Sequence, residues 1–347
     1  MEDTTRIARK LAALERMGLD RVEAAAPVTD AVRIERKGYQ VTSSRPAMGT
    51  VVSVTALACS RERAEEAIGR SFEEMGRLIA IFSRYEGSSA VSRLNDDGRL
   101  DGTPPELSRV LSRSLYYNWL SGGAFDMTVE PVVRLFRERL DGTTPREPGA
   151  AEIREAVELV GSQHVVVSAH TAHFARPSMG VTLDGIAKGY IVDAIAGELE
   201  RHGVGSYLIN AGGDIRTRGT KAGRKPWVVA VQDPAKGGNF PDTLRLTEGA
   251  VATSGSYEIY FERNRLYHHL VNSRTGRSPD LNASVSVLAP NAMTADALAT
   301  GVFVMEPRRG VEFVNSLPGC ECLVIDKNGR QLRSRGWKSA PPVAGAK

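Results

Sequence analysis

Thr182-Leu-Asp-Gly-Ile-Ala-Lys-Gly-Tyr190, followed by Asn210-Ala-Gly-Gly-Asp214, carries the strongest local signals in the chain. Gly185-Ile-Ala-Lys188-Gly189 reads as the passage from a strand into a helix, whose first N–H groups and positive dipole end can face an anion. Lys188 could neutralise a phosphate there, although the same residues also describe an ordinary strand-to-helix turn with a surface lysine. Gly212 and Gly213 permit positive φ or the close approach of a ligand, and equally a tight turn between strands. No Walker A loop and no G-x-G-x-x-G occurs anywhere, which disfavours the common nucleotide folds. H-E-x-x-H and G-x-S-x-G are missing as well.

Working outward, the spacing predicts a helix from Ala187 to His202 and others at Glu130–Leu140, Ala150–Val160, Met293–Met305 and Pro307–Leu317. Ala64, Ile68, Phe72, Met75, Ile79 and Phe82 step by three and four, the mark of a long core-facing helix. Pro104 or Pro105 opens a further helix that Gly122-Gly123 stop after Leu120. The chain turns β-like from Tyr39 through Val54, and short β-branched runs surround Val165, Tyr207, Val228, Val251 and Val285. The class is α+β or mixed α/β. Before Tyr39, Thr4–Glu23 reads as an amphipathic helix followed by a linker, so the chain divides into an arm at 1–38, a main domain at 39–338 and a tail at 339–347.

At 347 residues, 41% hydrophobic and 25% charged, the chain is a folded globular protein rather than a disordered or repetitive polymer. No apolar run reaches the roughly 18 residues of a membrane span. The N-terminus has no basic, apolar and small-residue succession of an export signal, and Cys59, Cys320 and Cys322 form neither a disulfide framework nor a zinc spacing; both point to the cytoplasm. Net charge is +4, with Lys327, Arg330, Arg333, Arg335 and Lys338 clustered near the C-terminus. That cluster reads as a solvated face, not a nucleic-acid site.

Two segments offer chemistry. Asp296 and Thr300, four apart on a helix, project oxygens from one face, and hard oxygen ligands suit magnesium. The alternative is that Asp296 bonds a nearby backbone group and Thr300 bonds back within its helix. His268 and His269 follow a β-like stretch and precede a turn, where an imidazole can serve as general base or simply as a turn residue. His170 and His173 have H-x-x-H spacing without neighbouring Cys, Asp or Glu, so zinc is disfavoured.

Taken in order, Arg45-Pro-Ala-Met48-Gly-Thr50, Phe82-Ser-Arg-Tyr85, Gly123-Ala-Phe-Asp126, Asp184-Gly-Ile-Ala-Lys-Gly-Tyr190 and Asn210-Ala-Gly-Gly-Asp214 are followed by Ala252-Thr-Ser-Gly255, His269 with Arg274-Thr-Gly276, and Ala295-Asp-Ala-Leu-Ala-Thr300. This set resembles the ApbE family of FAD:protein FMN transferases over roughly residues 40 to 335. The resemblance implies a two-lobed α+β fold with mixed, largely antiparallel sheets flanked by helices and an FAD site between the lobes. It further implies FAD as donor, Mg²⁺ dependence, and transfer of FMN to a threonine or serine of an acceptor flavoprotein with release of AMP. By position, Met48, Tyr85, Ala124, Phe125, Asp126, Lys188 and Leu270 would contact FAD. The Gly185 carbonyl with Asp296 and Thr300 would hold the metal, and His269 would activate the acceptor hydroxyl beside the catalytic Asp296.

Three departures stand out. Where relatives have Asp-Leu-Gly-Gly, this chain has Thr182-Leu-Asp-Gly, and a two-residue shift along a strand would keep Asp184 on the same face. Asn272 and Ser273 replace an Asp-Pro pair before Arg274-Thr-Gly, as turn-forming residues able to keep the bend. Many relatives are exported, and no export signal is read here. An FAD pyrophosphatase releasing free FMN and AMP, or a non-catalytic FAD-binding protein, would carry the same residues; a homodimer is left open.

Overall fold

The computed structural model describes residues 28–34, 38–140, 146–234, 240–255 and 270–340. The expected arm helix at 4–23, His268 and His269 lie outside the described residues. Nine strands form the main sheet: β1 (Val28–Ile34), β2 (Gly38–Ala47), β3 (Thr50–Ala58), β4 (Ser206–Ala211), β5 (Asp214–Arg218), β6 (Glu248–Gly255), β7 (Asn282–Ala289), β8 (Glu321–Asp326) and β9 (Gln331–Arg333). Their order across the sheet is their order in the chain, and every neighbouring pair is antiparallel. The architecture is α+β, with the helices of the described residues inserted between strands of one meander.

Helices α1 (Arg61–Phe82), α2 (Ala90–Asp97), α3 (Pro105–Leu120), α4 (Glu130–Leu140), α5 (Ala150–Glu158), α6 (Ala187–Arg201), α7 (Ala292–Val304) and α8 (Pro307–Asn315) flank it. α1 starts where the Ser60 hydroxyl accepts from the Arg63 N–H at 3.2 Å, and buries the three-and-four-spaced set Ala64, Ile68, Phe72, Met75 and Phe82. α7 is apolar on nearly every side because it is central, lying against α6, β6 and β7.

Alternation along the strands feeds two cores. Ala250 and Ala252 of β6 and Val324 of β8 join the helix side, whereas Val251, Leu323 and Ile325 face the opposite layer. That layer is a two-stranded ribbon, Trp227–Val231 with Asp242–Leu246, whose Val229, Val231 and Leu244 close over the second face. A third, smaller cluster joins α4 and α5 through Val132, Val133, Phe136 and Ile153, and includes Val271. In the basic C-terminal segment, Lys327 pairs with the exposed Asp280 at 2.9 Å, whereas Arg333 reaches the buried Asp242 at 3.2 Å.

Several expectations change. Val28–Ile34, assigned to the linker, is a strand paired with β2 along its whole length. α2 was not anticipated; its eight residues carry only Val91, Ser92 and Leu94 as a buried face, too short for periodicity to register. Thr182–Asp184 is not strand. The backbone of Val181 is instead satisfied by one side chain, Asn95, whose amide both accepts from Val181 N–H at 2.8 Å and donates to its carbonyl at 2.9 Å. The strand-face argument for Asp184 therefore does not apply.

Candidate active site

Two helices cross at the heart of the site. Gly189, in the first turn of α6, lies so close to the start of α7 that an added Cβ would stand 2.4 Å from the Ala292 carbonyl oxygen. Ile186, the residue before α6, offers no side-chain cap, and Asp296 of α7 fills that role: its Oδ2 accepts from the Gly189 N–H at 2.9 Å. In return, Asp193 of α6 accepts from the Ala292 and Met293 N–H groups, each at 2.9 Å. Each helix thus places a carboxylate at the positive end of the other. Burial pushes the Asp193 carboxyl up, with the two N–H groups and Arg216, 3.0 Å away, acting against it.

Beside this crossing opens a cleft between the main core and the α4–α5 cluster. Ala124, Phe125 and Asp126 form one wall, Asp184 and Gly185 a second, Thr300 a third, and Leu270 and Val271 a fourth. Gly185 and Thr300 touch: a Cβ on Gly185 would sit 2.7 Å from Thr300 Oγ1, so only glycine lets this backbone approach. Ser254, at the end of β6, stands 3.4 Å from the same hydroxyl.

The first wall is held by Asp126. Its Oδ1 accepts from Thr128 N–H at 2.8 Å, Thr128 Oγ1 at 2.6 Å and Ser162 Oγ at 2.8 Å, and its Oδ2 from Asn118 at 3.0 Å. The fourth wall is locked onto it, because Ser273 donates to the Gly123 carbonyl and Arg274 to the Gly122 carbonyl, both at 2.8 Å. The bend keeps its form without a proline: Asn272 Oδ1 accepts from the N–H groups of Arg274 and Thr275, and its carbonyl from Gly276.

The sequence-predicted residues divide accordingly. Ala124, Phe125, Asp126, Gly185, Leu270 and Thr300 line one cleft. Asp296 sits behind it, 4% exposed, making the backbone bond that was the plainer of its two readings. Met48, at φ +53, shares with Gly49 a two-residue turn between β2 and β3 that needs positive φ at both positions. That turn lies against the neighbouring hairpin, where an added Cβ at Gly212 would stand 2.6 Å from Thr50 Oγ1. Lys188 pairs at 3.1 Å with Asp214, which follows that hairpin and is 1% exposed. Complete burial pushes the Asp214 carboxyl up, and the Lys188 ammonium opposes it. Tyr85 is exposed beyond α1.

The residues that could hold a metal are hard oxygen donors: the Gly185 backbone packs against Thr300, and Asp296, one turn earlier on α7, accepts from the Gly189 N–H behind the cleft. Such a sparse set suits Mg²⁺, which keeps several waters and shares substrate phosphates. Among the described residues, no group of three or more His, Cys, Asp or Glu side chains offers an alternative metal centre.

The sequence reading missed Arg84, Glu130, Asn95 and Asp193. Arg84 and Glu130 are both 7% exposed and pair at 2.9 Å, and Arg84 also reaches Asp184 at 2.8 Å. Burial pushes the Glu130 carboxyl up against the pull of Arg84. Their contacts span 46 and 100 positions, beyond any local pattern; Arg84 alone lay inside a quoted motif.

Comparison with known proteins bears on this arrangement. The model of the ApbE family matches residues 48–324. The FAD:protein FMN transferase of Haemophilus influenzae is 31% identical over 289 residues, 78% of this chain and 82% of that one. The enzyme of the same name from Vibrio cholerae is 30% identical over 88% of this chain and 93% of its own length. Among solved structures, the ApbE protein of Thermotoga maritima superposes with a TM-score of 0.77 at 29% identity, covering 89% of this chain and 97% of that one. The apo flavinyl transferase ApbE of Pseudomonas stutzeri gives 0.75 at 25% identity, over 86% and 96%. With the matched segment containing all four walls of the cleft, the chain belongs to the ApbE family.

Proposed function

We propose that this chain is a magnesium-dependent FAD:protein FMN transferase, which moves FMN from FAD to a threonine or serine hydroxyl of an acceptor protein and releases AMP. The observation that carries this reading is that motifs spread from Ala124 to Thr300 converge on one cleft, in a chain similar to proteins bearing that name. The catalytic unit is residues 39–338, with β1 added at its edge.

The reaction forms one bond between the acceptor oxygen and the FMN phosphorus and breaks the phosphoanhydride, so that AMP leaves with the bridging oxygen. His269, the chain neighbour of the cleft residue Leu270, takes the proton from the acceptor hydroxyl, a contribution of about 10²–10⁴-fold for a general base. Lys188 and the first turn of α6 neutralise phosphate charge. Gly185, Asp296 and Thr300 would hold the magnesium ion, whose charge offsets the negative charge that builds on the transferring phosphoryl group. Phe125, Leu270 and Val271 supply apolar walls that keep water from competing with the acceptor.

The test is AMP release from FAD by the purified protein, with and without Mg²⁺ and with and without a threonine-bearing acceptor domain. Acceptor-dependent release with covalent flavin on the acceptor is the expected result. Acceptor-independent release of AMP and free FMN would make it a pyrophosphatase, and bound FAD without release would leave a binding protein; either overturns the proposal.

A further inference from the structure

Arg84 is a buried cation beside the cleft wall, and no role yet described uses it. It stands just past α1, with its side chain 7% exposed, between two carboxylates on different elements: Glu130 of α4 at 2.9 Å and Asp184 of the cleft wall at 2.8 Å. Glu130 is itself tied to Arg137 at 3.5 Å, so two cations and two carboxylates balance in one cluster. The same guanidinium donates to the Tyr85 hydroxyl at 3.1 Å and lies 5.1 Å from the centre of the Tyr85 ring, within cation–π range. Tyr85 is 59% exposed, and Arg84 contacts both its hydroxyl and its ring.

Building on the transferase reading, we propose that Arg84 is a positioning residue for FAD binding: one guanidinium orients the Tyr85 ring and neutralises the Asp184 carboxylate on the cleft wall. Both effects favour a flavin dinucleotide. A fixed ring gives contact area without the entropy of ordering it on binding. A bare Asp184 carboxylate would repel a diphosphate, whereas a carboxylate paired with a buried guanidinium does not.

The experiment measures FAD dissociation constants by flavin fluorescence quenching for the wild type, Arg84→Met, Arg84→Lys, Tyr85→Phe and the double variant Arg84→Lys with Tyr85→Phe. Wild-type binding is the control for the function itself: if FAD does not bind, the transferase reading fails before Arg84 is tested. Given binding, Tyr85→Phe raises the constant about 3- to 10-fold, the worth of one hydrogen bond. Arg84→Met raises it further, with kcat at saturating FAD unchanged within about 2-fold. Arg84→Lys keeps charge against both carboxylates and folds even where Arg84→Met does not, yet loses the fork to Tyr85; Tyr85→Phe then adds less than half its single effect in that background. Unchanged affinity in Arg84→Lys, or fully multiplicative effects in the double variant, would overturn the proposal.

Discussion

Gly189→Ala sets local propensity against tertiary packing, with opposite signs. In an exposed helix interior the change is favourable by about 1 kcal/mol, because alanine loses less backbone entropy. At the α6–α7 crossing the new Cβ meets only backbone: 2.4 Å to the Ala292 oxygen, 2.7 Å to its carbonyl carbon and 2.8 Å to the Met293 Cα. Ordinary contacts begin near 3.4 Å, so the helices must part by about 1 Å. Overpacking of this kind costs about 1–3 kcal/mol. The same movement stretches three carboxylate-to-N–H bonds, from Asp296 to Gly189 and from Asp193 to Ala292 and Met293, all now 2.9 Å. Partial loss of one such charged bond adds about 1.5–3 kcal/mol. Packing wins, and the net change is a destabilisation of about 1.5–5 kcal/mol. Urea unfolding followed by circular dichroism reads it directly. Gly197→Ala, on the same helix with nothing within 4 Å of its Cβ, is the internal control and shifts the midpoint upward. If Gly189→Ala matched or exceeded the wild-type midpoint, the close crossing and its reciprocal caps would be wrong.

Asp296→Asn leaves an amide oxygen to accept from Gly189 while removing the charge, so the unfolding midpoint stays near wild type as magnesium-dependent AMP release falls about 10²-fold or more; normal metal-dependent turnover would refute the metal assignment. Glu152 is held well below the usual carboxylate range by Arg146, the Gly149 N–H and Arg139. A folded pKa below the unfolded one stabilises above the unfolded value and is lost as pH falls through the folded one, so Glu152→Gln lowers the midpoint more at about pH 7 than at about pH 3. An equal loss at both would sink that account. For the cysteines, burial pushes the Cys322 thiol up to about 12 and raises Cys320 too, while Cys59 is exposed. A thiol reagent at about pH 8 should therefore modify one cysteine quickly in the native protein and three after unfolding; fast modification of two or three native thiols would contradict this burial.

Long periodic elements were legible in sequence because one face of each meets one continuous core. The run from Ala64 to Phe82, the helix after Pro105, and those following Gly185 and Asn291 fall where three-and-four spacing and caps put them. Short elements escaped. α2 has too few residues for a period, and β1 has no buried side that alternation could betray. The segment entering α6 looked like a strand, but its backbone is satisfied from far along the chain: Val181 by the Asn95 amide 86 positions away, and the Thr182 N–H by the Met127 carbonyl.

For the site, the sequence by itself determined which residue types are present and in what order: a glycine where backbone must approach Thr300, a hard oxygen set on α7, a lysine at the start of α6, and glycines at two adjacent hairpins. Those choices are local, because each depends on backbone conformation or on spacing along one element. Only the tertiary structure decided that Asp296 and Asp193 cap each other's helices, that Lys188 meets a buried Asp214, and that Arg84 joins Glu130, Asp184 and Tyr85. Buried charges draw their stability from partners that leave no trace in neighbouring sequence, since desolvation makes a partner obligatory without fixing where in the chain it comes from.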